Sequence, residues 1–530
     1  MSGSPATAEA LVRLHEELLF QRAYPRDRLE LVGAESLLAR FGEGVARFAA
    51  AGGDLAPFDR PEVSGIAGTS IATDYSFDVV RWLAARFPGR VRLDWKDQDD
   101  PDRLRALLPE FLPVLDEEAL EDANVPYLEW LRAAQPDPRR DLDWLIQGIT
   151  ALPLSERDRA ERYEALRVPI EWMLDNGRAT RTRMRWPARE RFFHRGQLIA
   201  RREVSLAEML ALPRLPVRKL PRGEGERVVD LARAATALRY REYYGFTCAD
   251  PASVRATRVG RGVEIFFMGL EKARRLPLRA GFAAIVVKNG VPVGYVEGLA
   301  LFERIEIGFN IYYTFREGES AWIFGRVLKL LNQVLGVTSF SIDPYQLGHE
   351  NPEAIESGAF WFYRKLGFRP TSSAVARLVR SEEAKIARTP AYRSPTKSLR
   401  RLVTGNLLYE IEPSRDWDRF HVRNIGLAVQ KRMRLRYRGD PAELRRRASS
   451  RLARLVGTPF SPHGDLRDFA LILDLVGDLP AWSRSEREAI AAIVRAKRGR
   501  DEIRYLALLQ RHPKLRRALL RLGSGGSPKR

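Results

Sequence analysis

Residues 282–302 read FAAIVVKNGVPVGYVEGLALF. Two runs rich in apolar and β-branched residues flank the pair Asn289-Gly290. An Asn-Gly pair accepts the positive φ angles of a type I′ turn, whose twist matches that of paired strands. The stretch is therefore expected as an antiparallel hairpin. The residues around it extend the pattern: GVEIFFMGL before it and ERIEIGFNIYYTF after it read as strands, with VVDLARAATALRYREYYGF as an amphipathic helix at the start. REGESAWIFGRVLKLLNQVLG then turns into a helix whose first turn holds Gly318, Ser320 and Ala321. VTSFSIDPY reads as a strand, QLGHENPE as a loop and AIESGAFWFYRKLGF as a helix. A last strand pair is expected near SAVARLV and LLYEI.

That order, with those residues at its turns, resembles the GNAT superfamily of acyl-CoA N-acyltransferases over residues 226–412. Three local matches carry the resemblance: the hairpin NGVPVGYVEG, the strand-to-helix turn REGESA, and AFWFYRKLGF, which is similar to the family's helix ending in Tyr-x-Lys-x-Gly-Phe. The resemblance implies a central mixed sheet with flanking helices and coenzyme A bound at the turn Phe315, Arg316, Glu317, Gly318, Glu319, Ser320, Ala321. Small residues there let backbone approach phosphates, and a helix N-terminus supplies positive dipole. The match has departures. With Gly318 as the central glycine, Phe315 takes the family's Gln/Arg position and Arg316 stands one place late; Glu356 takes the family's asparagine position, with Asn351 upstream.

Acyl transfer to an amine needs a deprotonated amine and a stabilised thiolate. The resemblance implies Tyr363 as proton donor to the thiolate and a strand glutamate as base, Glu306 first and Glu303 in reserve. Each has a plainer alternative: Tyr363 as a core aromatic, the glutamates as exposed strand carboxylates. Phe360 and Phe362 read as core or pocket wall, and His349 as a loop histidine near the cleft.

The flanks are helical in pattern. We expect three regions: a mainly helical 1–221, the acyltransferase-like 222–412, and a basic helical C-terminal domain over 413–530 with a disordered tail. EVSLAEMLALPRLPVRKLPRGEGER, with three prolines, has the look of a linker. Gly65 and Gly68 precede an expected helix, as a plain turn or a phosphate cradle. The net charge of +21 favours polyanions. Residues 178–195 hold seven arginines against Glu190, with Trp186, Phe192 and Phe193 between them. The stretch Lys431–Arg454 holds ten Lys/Arg against Asp440 and Glu443. Both suit nucleic acid, and both equally suit solvated or packed arginine-rich faces. Cys248 is the single cysteine, and the six histidines show no i, i+4 pair, so no metal site is expected. With no signal peptide and no long apolar run, a cytoplasmic protein without membrane insertion is expected.

The leading functional expectation is transfer of an acyl group from acetyl-CoA to an amine. Two others stand beside it: an aminoacyl transferase of GNAT-like fold that uses tRNA, and an inactive, basic nucleic-acid-binding scaffold.

Overall fold

The computed structural model describes residues 7–96, 101–110, 126–175, 177, 179–389, 391–457 and 467–526. Arg178, the first arginine of the 178–195 run, and the last residues of the tail lie outside this set. The protein is mixed α/β, and among the described residues it has one large mixed sheet and one small one.

The small sheet is antiparallel: β1 (Thr69–Thr73), β2 (Val91–Leu93) and β3 (Ile170–Leu174), in the order β1-β3-β2. The large sheet has nine strands. They are β4 (Val217–Lys219), β5 (Arg255–Gly260), β6 (Val263–Gly269), β7 (Ala280–Lys288), β8 (Val291–Leu301), β9 (Arg304–Ile311), β10 (Ser339–Ile342), β11 (Arg369–Pro370) and β12 (Leu407–Glu410). Their spatial order is β11-β12-β10-β9-β8-β7-β6-β5-β4, and among the described residues only β9 and β10 pair in parallel. Asn289 (φ 48°) and Gly290 (φ 88°) turn β7 into β8 as a left-handed pair. Every residue of β7 is buried, because helices cover both faces of the sheet. On one face the helix Ser320–Leu335 sets Phe324 against Phe309 of β9, ring centroids 5.0 Å apart. On the other, the short helix Tyr244–Thr247 brings Gly245 against Ala283.

Three sequence expectations need correction. SAVARLV is helical, within Ser373–Arg388: Ser372 caps it by accepting from the Val375 N–H, and Val375, Val379 and Glu382 are buried at helical spacing. The strand partner of β12 is Arg369–Pro370 instead. AIESGAFWFYRKLGF is two short helices, Pro352–Glu356 and Ala359–Arg364, broken where Gly358 adopts φ 69°. The proline-rich 203–225 stretch is no free connector. It forms the helix Leu206–Ala211 and edge strand β4, and Gln333 clasps Leu215 through both its N–H (2.7 Å) and its C=O (2.8 Å).

The flanking regions pack onto the large sheet. From the N-terminal side, Tyr75 donates to Ala237 O (2.7 Å) and Arg181, fully buried, binds Glu16 (2.7 Å) and Thr314 (2.8 Å). From the C-terminal side, Tyr505 donates to Leu278 O (2.6 Å) and Gln510 to Phe302 O and Leu335 O (both 2.9 Å).

Two buried histidines make this packing pH-sensitive. Burial lowers the pKa of His15 and pushes His194 down to about 4. The unfolded chain protonates them near 6.5, so it binds more protons than the native state between 6.5 and about 4, and stability falls as pH falls through that window. Arg181 holds Glu16 at about 2 against the opposing effect of burial, which adds a further loss below 4.5. The urea midpoint should be flat above pH 7 and fall steadily from 6.5 towards 4, less steeply in His194→Asn. A midpoint constant from pH 7 to 5 would contradict this.

Candidate functional site

The parallel pairing of β9 with β10 is brief: Arg304 faces Ser339, Ile305 faces Phe340, Glu306 faces Ser341, and there it ends. β9 continues to Ile311, still paired with β8 on its other side. Past Glu306 the β10-facing edge of β9 is therefore bare. A cavity of about 560 Å³ opens beside it, within the ~300–1,000 Å³ range of small-ligand sites. Phe309, Asn310 and Ile311 form its floor, and Tyr345 and Gln346 follow from the chain after β10.

Tyr363 lines this cavity, as do Arg316 and Ser320 from the glycine turn. Tyr363 is buried, edge-on to Phe324 (5.5 Å) and Phe368 (5.6 Å), and burial raises its pKa, so the phenol stays protonated. Phe362 also lines the cavity, whereas Phe360 lies in the core. His349 is exposed and does not line the cavity.

The remaining turn residues do other work. Phe315 is a core side chain, and its N–H donates to Tyr312 O (2.8 Å). Gly318 N–H donates to Phe315 O (3.0 Å). A Cβ at Gly318 would meet the Tyr24 hydroxyl at 2.5 Å, so the glycine makes room for the N-terminal helix Ala8–Ala23 and the Tyr24 that follows it. Glu317 points to solvent and Ala321 is buried. Glu319 is fully buried; it ion-pairs with Arg261 and with Lys288 (3.3 Å) and accepts from Ile199 N–H (3.2 Å). Of the turn, Arg316 and Ser320 are what line the cavity; Ser320 begins the Ser320–Leu335 helix, and a helix start leaves N–H groups unpaired within the helix.

Neither Glu306 nor Glu303 lines the cavity, and Glu303 lies in the turn between β8 and β9, outside both strands. Glu306 lies in a second, separate cavity, 3.2 Å from both Arg279 and Arg304. Glu303 is taken up by Arg516 (2.9 Å) and by the indole N–H of Trp417 (2.7 Å). The alternation of side chains along β9 turns Glu306 to the face away from the Ser320–Leu335 helix.

The groups that do converge on the cavity come from YREYYGF and NPE. Arg241 and Arg316 each bind one oxygen of Glu353 at 2.6 Å. Burial works against that carboxylate, but the two guanidiniums hold its pKa below the ordinary value. Arg241 also reaches the Tyr243 hydroxyl (3.4 Å), which hydrogen-bonds Tyr295. Glu242 lines the same cavity; it accepts from Ser76 N–H (2.6 Å), and burial raises its pKa. The sequence signal for these residues was present in the aromatic and basic run 240–246 and in Asn351, which caps the Pro352–Glu356 helix from the cavity wall.

Other sequence candidates are structural. Gly65 and Gly68 have no room for phosphate, since a Cβ there would meet Leu238 and Gly42 O at 2.8 Å. Burial pushes the Cys248 thiol up to about 11, which removes it as a nucleophile at neutral pH. Within 178–195, Arg181 binds Glu16, Arg183 binds Ala39 O (3.1 Å), Arg185 binds Glu35 (3.2 Å), and Arg191 binds Asn289 O. Those contacts clamp the N-terminal helices to the hairpin turn, while Arg185, Arg189 and Arg195 are exposed. In 431–454 the picture differs: Arg432 and Arg451 bind Asp474, but Lys431, Arg434, Arg436, Arg438 and Arg454 are exposed.

No family model, curated protein or solved structure matches the chain.

Gly318→Ala should destabilise the protein by roughly 1–3 kcal/mol, the usual cost of overpacking, with part of the loss restored by adding Tyr24→Ala. Unchanged stability in a urea titration would show that the glycine serves a ligand and not Tyr24.

Proposed function

We propose that the protein is an N-acyltransferase that takes its acyl group from an acyl-CoA thioester, with acetyl-CoA the simplest donor. The observation that carries this reading is the parting of β9 from β10, with a cavity at the gap that joins a helix start, Arg316 and Tyr363. The order of hairpin, long strand, turn, helix, strand and aromatic helix, which resembles the GNAT superfamily, supports it.

In this reading the donor's amides run along the bare edge of β9 as a short added strand. Its phosphates lie towards Arg316 and the N–H groups at Ser320. The amine nitrogen attacks the thioester carbonyl; the C–N bond forms, the C–S bond breaks, and the amine proton passes to a base. Glu242 takes that role, since its raised pKa brings proton uptake closer to neutrality. Glu306 and Glu303 carry no step. Tyr363 faces the departing sulfur. A phenol above its ordinary ~10 is a weaker acid than a thiol near ~8.5. Tyr363 therefore stabilises the thiolate by hydrogen bonding more than by full proton transfer.

Calorimetric titration of the purified protein with acetyl-CoA, and in parallel with tRNA, tests this. Acetyl-CoA should bind, and Arg316→Glu should weaken it by roughly 10–100-fold, the value of a charge-assisted hydrogen bond. Tyr363→Phe should keep binding and slow thiol release, with a panel of primary amines as acceptors, by at least about tenfold. Binding of tRNA alone, with steep salt dependence, would overturn the reading in favour of the exposed arginines of 431–454.

A further inference from the structure

The sheet face that floors the main cavity continues beyond it. In the register of β8 and β9, Tyr295 lies opposite Asn310, Glu297 opposite Gly308, Leu299 opposite Glu306, and Leu301 opposite Arg304. Opposed residues of an antiparallel pair share a face, and so do alternate residues of one strand. These four pairs form one continuous row. The first pair belongs to the main cavity. The last two floor a second cavity of about 240 Å³, walled by Trp417, Phe420 and Arg423. Only the Glu297–Gly308 pair lies between, and there the Gln346 side chain covers Gly308: a Cβ on that glycine would meet its Nε2 at 3.2 Å. One short segment serves both ends, with Asp343 and Pro344 at the second cavity and Tyr345 and Gln346 at the first.

The second cavity has a surplus of cations. Arg279 and Arg304 share the single carboxylate of Glu306, each at 3.2 Å. Arg304 is further fixed by donating to Ser341 Oγ (2.9 Å). Arg423, on the first turn of the helix Val422–Tyr437, is exposed at the cavity and forms no ion pair with a carboxylate among the described residues. The other acid, Asp343, is engaged as cap of the turn Pro344–Leu347, accepting from Gln346 N–H (3.1 Å). Leu299, Leu301, Trp417 and Phe420 add apolar wall. At about 240 Å³ the space is below that of a whole-ligand site, ~300–1,000 Å³, so it suits one end of a molecule.

We propose that this second cavity is a phosphate subsite, which holds the anionic end of a phosphorylated amine whose nitrogen reacts in the main cavity. The phosphate part stands on the cavity itself; the amine part rests on the acyltransferase reading. Arginine matches phosphate oxygens in pairs, and Arg423 is the cation left open for it. The row gives the spacing. Asn310 and Glu306 are four residues apart on β9, about 13 Å at ~3.3 Å per residue. The acceptor class is thus an amine with a phosphate roughly that far from its nitrogen, passing over Gln346.

The test is a ³¹P-monitored titration of the full chain with inorganic phosphate, with calorimetry of acetate as the control anion. Phosphate should bind at least tenfold more tightly than acetate. Arg423→Glu, an exposed substitution, should weaken phosphate at least tenfold and leave acetyl-CoA unchanged. Arg316→Glu should do the reverse. Phosphate affinity unchanged in Arg423→Glu, or lost in Arg316→Glu, would overturn the subsite. Phosphate binding that depends on Arg423 in a protein that does not bind acetyl-CoA would keep the subsite and sink the acyltransferase reading.

Discussion

The separation of two parallel strands after three residue pairs is the constraint on which the rest of this protein depends. A sheet whose neighbours part leaves backbone N–H and C=O groups without partners, and such groups are costly when buried. Here the gap is kept open and polar. Asn310, Tyr295, Arg241 and Gln346 surround it, and the Arg241–Glu353–Arg316 bridge ties its walls together. Among the described residues the gap opens into the cavity of about 560 Å³.

Keeping the gap in one shape falls to buried ionic contacts behind the turn. Glu319 sits at the N-cap of the Ser320–Leu335 helix and holds Arg261 and Lys288. Lys288 Nζ also donates to Arg261 O (2.5 Å) and lies 4.7 Å from the centre of the Tyr24 ring. Burial pulls the Lys288 pKa down and Glu319 offsets part of that pull, which leaves it at about 8. Removing one partner of such a buried pair typically costs ~3–5 kcal/mol. The cluster joins four distant pieces of chain: the end of β7, the β5–β6 turn, the helix start and the N-terminal segment. The N-terminal region thus acts as a brace for the turn. The C-terminal helices brace the opposite end, where Lys497 and Glu502 pair in the core beside Arg279 O and Gly281 N–H.

What could be read in the sequence was local. Asn289-Gly290 announced the hairpin because positive φ at both positions admits few residues. The glycine turn and the Tyr363 helix were visible through spacing, and both border the cavity. What could not be read was pairing at a distance. Arg241 and Glu353 are 112 residues apart, and only the fold brings them together. The charge of 178–195 suggested a polyanion surface; Arg181, Arg183, Arg185 and Arg191 meet Glu16, Glu35 and backbone carbonyls contributed by other segments, while Arg189 and Arg195 are exposed. SAVARLV is apolar at positions that suit either a strand or a helix, and the Ser372 cap decided it. Glu306 stood at the right place along β9 but on the face that leads to the second cavity.

Amide hydrogen exchange with and without acetyl-CoA tests the central claim most directly. A donor seated along the open edge of β9 should slow exchange in two stretches, 307–311 and 320–322, and leave 186–192 and 431–454 as they were. Protection confined to 431–454, or no protection anywhere at saturating acetyl-CoA, would contradict the account.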